Sequence, residues 1–296
     1  MKKIVECVPN FSEGRDIGKI SQITDAAKSV KGIKLIDFHS DPDHNRSVLT
    51  LIGSPHAIKE SAYNLTEKAA ELIDMEKHSG VHPCIGAVDV IPLVPVKGIS
   101  MEEVVELSMS LGDRIAYDFK IPVYLYGEAA LRPDRKNLAN VRRGGYLKLK
   151  QEINSPERHP DYGEAKLHPK AGAVAIGVRD FLIAFNVNLE TKDLSIAHEI
   201  AKSIREKHGG LPGVRAIGVP LKSRGIVQVS MNITEHKKTS LFEVMKFIKE
   251  RVNELEVKIR NGEIIGLVPR DAVFPKMKEY LMLDDFSERK ILNTYL

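Results

Sequence analysis

The sequence predicts an α/β protein of the α+β kind, with two sandwich subdomains whose sheets face each other across a ligand cleft. Three observations carry this expectation. The order strand, helix, strand, strand, helix, strand occurs twice, which is the split βαβ or ferredoxin-like pattern. The helical segments place apolar residues at i, i+4 and i+7, the spacing of a helix with one buried face. Two strands of the second half alternate apolar residues with amides, so the sheet they form has one apolar and one polar face.

In the first half, Ile4 to Val8 is a short strand stopped by Pro9-Asn10, and residues 10–16 form a turn-rich loop. Asp16 is the expected N-cap of a helix running to about Val30, since a short carboxylate can accept from the first unpaired amides. Ile33 to Phe38 is the second strand, His39 to Arg46 a polar loop, and Ser47 to Ile52 the third strand. Ser54-Pro55 opens a helix carrying Ile58, Ala62, Leu65, Ala69 and Leu72 on one face. An apolar, β-branched run from Ala87 to Val96 is the fourth strand, of a composition that suits burial on both faces. Ser100-Met101-Glu102-Glu103 is a capping box that starts a helix to about Asp118, and Pro122 to Tyr126 is another strand. From Gly127 to Gly172 periodicity fades into loop with at most a helical turn, a length that marks function or linkage.

The pattern then restarts. Strands are expected at Phe181–Leu189, Val214–Val219, Ile226–Ile233 and Glu263–Val268. Helices are expected from Ser195 to His208 and from the capping box Ser240-Leu241-Phe242-Glu243 to Asn253, with a last helical region after Arg270. The boundary falls near Gly177, dividing the chain into residues 1–177 and 178–296. Along the second sheet Asn186 and Asn188, with Gln228, Ser230 and Asn232, point away from the apolar positions. Amides in place of the usual lysines and glutamates suit a polar ligand; an ordinary exposed strand face is the other reading.

Bulk composition narrows the functional classes. The 296 residues are 43% hydrophobic, ample for a core. The 44 basic and 40 acidic residues leave a net charge of only +4. No basic run is long enough for nucleic acid, and 6% aromatics without tryptophan offer few stacking platforms. Small polyanionic ligands fit this mild surplus better than a polymer. Cys7 and Cys84 are the only cysteines, without CxxC spacing, so a reducing compartment is expected. Glu6 arrives before a signal-peptide core could form, and no apolar run approaches a membrane span. A cytoplasmic location without membrane attachment follows as an expectation.

Chemistry concentrates in the loop before the fourth strand, His78-Ser79-Gly80-Val81-His82-Pro83-Cys84. His82 is the leading catalytic candidate, because imidazole both accepts and releases a proton near neutral pH. Pro83 biases it toward an extended backbone. The bland alternative is that His82 only fills a turn. Asp89 interrupts an apolar strand, so it either orients a neighbour such as His82 or forms a structural ion pair. His78 and His82 have a spacing that suits metal ligands on a helix, but Gly80 and Pro83 oppose a helix there and no glutamate follows His78. No metal is expected.

Several strings together identify a family. Val5-Glu6-Cys7-Val8-Pro9-Asn10-Phe11-Ser12-Glu13-Gly14, Asn45-Arg46, His82-Pro83 with Gly86-Ala87-Val88-Asp89-Val90, the stretch Pro122 to Ala130 and the stretch Phe181 to Leu189 resemble glutamate formiminotransferase over nearly the whole chain. The resemblance implies transfer of a formimino group between N-formimino-L-glutamate and tetrahydrofolate, in histidine degradation and one-carbon metabolism. It also implies two α/β subdomains around a folate cleft and a homodimer. His82 would be the acid/base, with Asp89 or Asp41 orienting it. A folate-binding segment falls on Asp161 to Gly172, matching at Asp161, Gly163, Pro169 and Gly172. Substrate carboxylates call for guanidinium forks, with Arg46 first and Arg142 and Arg143 next. The all-helical cyclodeaminase partner of bifunctional members has no counterpart in the sequence. Alternatives are formyl transfer, a metal-dependent hydrolase using His39, Asp41, His44, His78 and His82, and a non-catalytic folate-binding protein.

Overall fold

Alternation of apolar and polar residues along the strands gives each sheet one face that must be covered and one that need not be. The computed structural model describes residues 2–295 and divides into two units, Met1–Asp180 and Phe181–Leu296. Gly177 lies three residues inside the first unit.

The first unit begins with β1 (Ile4–Cys7), β2 (Asn10–Phe11), α1 (Ile17–Lys28), β3 (Lys34–Asp41), β4 (Arg46–Gly53), α2 (Pro55–Leu72) and β5 (Val88–Lys97). β1 and β2 are one strand broken at Val8-Pro9, and both pieces pair antiparallel with β4 and β5. With β3 on the outer side of β4, the order is that of a ferredoxin-like sandwich. Asp16 caps α1 as expected, its side chain accepting from the Lys19 amide. Ser54 does the same for α2.

The remainder of the first unit departs from the expectation. After α3 (Met101–Phe119), opened by the Ser100–Glu103 capping box, come β6 (Val123–Gly127), the short helices α4 (Leu138–Val141) and α5 (Gly145–Glu152), and β7 (Val174–Val178). β7 inserts between β5 and β6 and pairs parallel with both, enlarging the sheet to seven strands. A five-residue strand buried on both faces shows no alternation, so its periodicity is invisible in the sequence. The 127–172 segment is likewise no open loop: it folds back onto the sheet. The strand β3 also runs through His39 to Asp41, so the predicted loop shrinks to a tight turn between Asp41 and Arg46.

Register sorts the side chains. Val5, Cys7, Leu49, Leu51, Ile91 and Leu93 point to the face covered by α1, α2 and α3, forming the main core. The opposite face carries Glu6, Asn10 and Arg46 beside a smaller cluster in which Val90, Tyr124, Tyr126 and Ala175 meet Val141, Leu149 and Ile153 of the folded-back segment. That second face is therefore part apolar and part ionic.

The second unit contains β8 (Ile183–Leu189), α6 (Leu194–Ile204), β9 (Val214–Leu221), β10 (Ile226–Ile233), α7 (Leu241–Glu254), β11 (Ile259–Ile265) and the one-turn helix α8 (Met277–Tyr280). Its four-stranded antiparallel sheet has the order β11-β8-β10-β9, again ferredoxin-like. β11 starts four residues earlier than the sequence suggests, and the helical region expected from Arg270 is a series of one-turn pieces, three of them 3-10 helices, joined by turns. Phe185, Val187, Val227, Val229 and Met231 pack under α6 and α7, while Asn186, Asn188 and Gln228 take the other face. None of the helices is long and apolar enough to cross a membrane, among the described residues.

Glu6 is nearly fully buried in the middle of the first sheet, paired across to Ile52 and Val94. Burial pushes its carboxyl up from 4.5 to about 7, with the Arg179 cation opposing. A carboxyl that is harder to ionise folded than unfolded costs nothing below about pH 4.5 and its full penalty above about pH 7. Glu6→Gln is therefore expected to stabilise the protein at about pH 9, by at most ~3 kcal/mol on a scale of roughly 1.4 kcal/mol per unit. The gain should vanish near pH 4, and chemical denaturation at both pH values checks it; an equal gain at both would assign the effect to packing.

Candidate active site

The loop between α2 and β5, residues 73–87, is irregular but pinned at many points. The Met75 amide donates to the Lys170 carbonyl (2.9 Å), Val81 to Asp43 (3.2 Å) and Ala87 to Ala171 (2.8 Å). Ser12 hydroxyl donates to the Gly86 carbonyl at 2.7 Å, and Ser12 amide to the Ala87 carbonyl at 2.8 Å. Two glycines allow the close approach. A Cβ on Gly86 would lie 1.9 Å from the Ala173 carbonyl oxygen, and one on Gly80 would lie 2.2 Å from that of His44. The loop is thus held against the β3–β4 turn on one side and the 171–173 segment on the other.

His82 sits half-buried in this loop, its ring stacked on that of His44 at 5.8 Å between centroids and 26° between planes. Its Nδ1 lies 2.9 Å from the Pro83 carbonyl oxygen. A carbonyl can only accept, so Nδ1 carries the proton and Nε2 keeps its lone pair. Burial, followed by the charges of Arg46, Arg142 and His44, holds the imidazole well below its usual pKa of 6.5; the Pro83 hydrogen bond pulls weakly the other way. At neutral pH the ring is therefore an uncharged base with one defined open nitrogen.

The two guanidinium groups that add to the effect of burial are themselves held in place. Arg46, at the first residue of β4, donates from Nη2 to the Asn10 side-chain oxygen, and its buried Nε has no hydrogen-bond partner. Burial and the neighbouring Arg142 lower even this guanidinium to a pKa of about 10. Arg142 ends α4 and forms a two-point ion pair with Asp89, its Nε 3.2 Å from Oδ1 and its Nη2 on Oδ2. Asp89 is 1% exposed and also accepts from the Ile85 amide at 3.0 Å. Its carboxylate therefore holds the loop backbone and Arg142. Burying such a carboxylate requires just this kind of partnering.

Asp41 is buried at the β3–β4 turn, where its Oδ1 accepts from the Asp43 and His44 amides, both at 2.8 Å. It shapes the turn that presents His44 to His82. Asn45 follows in the left-handed conformation with φ of 47°, which short polar side chains tolerate best. Its side chain accepts from the Gly14 amide at 2.9 Å and donates to the Ser79 carbonyl at 3.1 Å and to His78 Nδ1 at 3.3 Å. One amide so ties three loops together. His78 contributes to this clamp, and burial lowers its pKa.

The segment 161–172 splits into two parts. Asp161 accepts from the Leu125 amide at 2.7 Å and pairs with buried Arg135 at 2.7 Å, fixing the segment to β6. Gly163 has φ of 87° in the following turn, and Pro169 lies exposed in a turn closed by His168 Nδ1, which accepts from the Ala171 amide at 2.9 Å. Gly172, with φ of 69°, bridges to Gly86 and so reaches the His82 loop. Arg143 lies exposed near Glu152. In the second unit, Asn186 and Asn188 are buried on the open face of the sheet, and Asn188 donates to Asn261 and Glu263, both at 2.8 Å. Asn10 and Asn45 escape a sequence reading based on reactive side chains, although both stand in strings that carry the family resemblance, and His44 enters that reading only as a possible metal ligand.

Among the described residues, no three or more His, Cys, Asp or Glu side chains converge as a metal site. Burial raises the Cys84 thiol to about 11, so it stays protonated beside the loop. What gathers here is a neutral imidazole, two guanidinium groups and several amides.

Comparison with known proteins identifies the family. The formiminotransferase N-terminal subdomain matches residues 4–179, and the formiminotransferase domain matches residues 184–290. A glutamate formimidoyltransferase of Streptococcus pyogenes serotype M1 is 45% identical, the match covering 100% of this chain and 99% of the relative. One from Thermoplasma acidophilum is 44% identical over 98% and 96% of the two chains. The formimidoyltransferase-cyclodeaminase of Mus musculus is 38% identical over 99% of this chain but only 56% of its own length. With both units matched along almost their whole extent, the chain belongs to the formiminotransferase family of transferases.

Proposed function

We propose that the protein moves a formimino group between N-formimino-L-glutamate and tetrahydrofolate, with His82 as general acid and base, in histidine breakdown and one-carbon supply. The observation that carries this reading is the bare Nε2 of a neutral imidazole that burial and the charges of Arg46 and Arg142 keep unprotonated. The full-length likeness to glutamate formimidoyltransferases supports the choice of substrates.

The chemistry requires two proton movements. The folate N5 amine attacks the amidine carbon and must lose its proton as the new C–N bond forms. His82 Nε2 takes that proton, which Nδ1–H bonded to Pro83 leaves it free to do. The bond from that carbon to the glutamate nitrogen then breaks, and the imidazolium returns the proton to the departing nitrogen. The ring ends as it began, and no net proton is consumed. The nearby cations Arg46 and Arg142 make the imidazolium short-lived, which favours the return step. Arg46 also offers charge to a substrate carboxylate. Gly172 and the 161–172 segment place backbone beside the His82 loop, and Asp161 supports that segment from behind.

His82→Ala is expected to lower kcat by about 10²–10⁴-fold, the usual worth of a positioned acid/base, while tetrahydrofolate binding measured by calorimetry stays within a few-fold of wild type. Wild-type kcat, or a loss confined to KM, would remove His82 from the proton path. Turnover with N-formimino-L-glutamate, offered in parallel with the N-formyl analogue, decides the donor. Activity that survives dialysis against a chelator is expected, and its loss, restored by a divalent metal, would favour the hydrolase reading.

Because the working form is the neutral ring, kcat/KM should be flat through neutral pH and fall only where acid protonates His82, well below 6.5. Arg46→Gln removes a cation that disfavours imidazolium, so the acidic limb should move to higher pH. A limb that stays in place in Arg46→Gln would show that the guanidinium does not act on this ring.

A further inference from the structure

The turn from His168 to Gly172 is closed twice. On the backbone, the His168 amide donates to the Gly172 carbonyl and the Gly172 amide to the His168 carbonyl, both at 3.0 Å. Inside the turn, the half-buried His168 ring accepts at Nδ1 from the Ala171 amide at 2.9 Å and from the Lys170 amide at 3.3 Å. Pro169 has no amide hydrogen, so the ring takes up the two amides left inside the turn. An imidazole nitrogen that accepts carries no proton, so the proton sits on Nε2, the reverse of the tautomer at His82. Burial, and after it the charge of Lys170, lowers the pKa of this ring, which keeps it neutral and Nδ1 able to accept.

The Ala171 N–H and the Lys170 carbonyl belong to one planar peptide group and point in opposite directions. Holding the N–H on Nδ1 therefore turns the carbonyl away from the ring, and there it accepts from the Met75 amide at 2.9 Å. The contacts that follow continue the same ribbon. The Ala171 carbonyl accepts from the Ala87 amide at 2.8 Å, and the Ala173 amide donates to the Ile85 carbonyl at 3.0 Å. These bonds hold the loop carrying His82 at both ends, Met75 before the ring and Ile85 and Ala87 after it. Packing there leaves no slack, since a Cβ on Gly172 would lie 2.6 Å from the Ile85 carbonyl oxygen. A rotated 170–171 peptide would be passed on to the loop rather than absorbed.

We propose that His168 is a positioning residue for the transfer reaction: its Nδ1 sets the 170–171 peptide, and through that peptide the place at which the loop presents His82. His168 acts only through the backbone between the two rings. The kinetic consequence rests on the transfer reading above, whereas the effect on the loop does not.

Two substitutions separate the acceptor from the ring. Asparagine Oδ1 stands as many bonds from the backbone as Nδ1 and closes turns by accepting from amides just ahead of it, so His168→Asn keeps the acceptor. His168→Leu removes it while keeping apolar bulk. Amide hydrogen exchange at Met75 and Ala87 is expected to quicken roughly tenfold or more in His168→Leu and to stay near wild type in His168→Asn. With N-formimino-L-glutamate and tetrahydrofolate, kcat is expected to fall about tenfold or more in His168→Leu, because small misplacements of a catalytic group are costly, and to stay within about threefold of wild type in His168→Asn. Nitrogen-15 NMR of the wild-type protein, which needs no variant to fold, should show His168 with a bare Nδ1 and a protonated Nε2 at neutral pH. A proton on Nδ1, wild-type kcat in His168→Leu, or an equal loss in both variants overturns the positioning role. Wild-type protein that turns over no formimino donor would overturn the transfer reading instead. Exchange would then still decide whether the loop depends on His168: quickening confined to His168→Leu upholds it, and unchanged exchange overturns it.

Discussion

An imidazole kept neutral beside two guanidinium groups is the constraint on which the site depends. Burial disfavours the imidazolium first and the like charges of Arg46 and Arg142 add to it, so the His82 ring remains uncharged across the pH range where an ordinary histidine would be partly protonated. That arrangement would be unstable if the cations themselves were loose. Arg142 is held by a buried carboxylate at two points, and Arg46 by Asn10. Asp89, whose charge would be costly alone, is stabilised by the same pair and by a loop amide. The ionic system and the loop geometry are thus a single structure, and neither would persist without the other.

The fold supplies what this system needs through a division of labour between sheet faces. One face of the first sheet packs under three helices and carries the stability of the unit. The other is freed for polar groups near β2 and β4 and is closed elsewhere by the folded-back 128–173 segment. That segment contributes Arg142 from the end of α4 and, through residues 171–173, one wall of the His82 loop. Enlarging a ferredoxin-like sandwich by two parallel strands is what brings this segment into place. The second unit keeps the simpler four-stranded form and spends its open face on buried amides around Glu263.

Much of this was legible in the sequence because it is local. Capping residues at Asp16, Ser54, Ser100 and Ser240 are set by neighbours within three positions, and each caps the helix it predicts. β10 alternates strictly from Val227 to Ile233, and the strand spans Ile226–Ile233 as expected. β7 was not legible, since a short strand buried on both faces carries no periodic signal. Nor was the pairing of Asp89 with Arg142, 53 positions apart: the sequence shows that Asp89 needs a partner but not which one. The clamp made by Asn45 depends on a left-handed backbone and three separate loops, none of which a single residue type announces. Local chemistry is read from the chain; long-range pairing is decided by topology.

The state of one ring tests the account most directly. Nitrogen-15 NMR of imidazole-labelled protein, with His82 assigned through His82→Gln, reads the protonation of each ring nitrogen as pH is varied. At neutral pH the account predicts Nδ1 protonated and Nε2 bare, a state persisting well below the usual histidine pKa. A ring protonated on both nitrogens at neutral pH, or carrying its proton on Nε2, would contradict it.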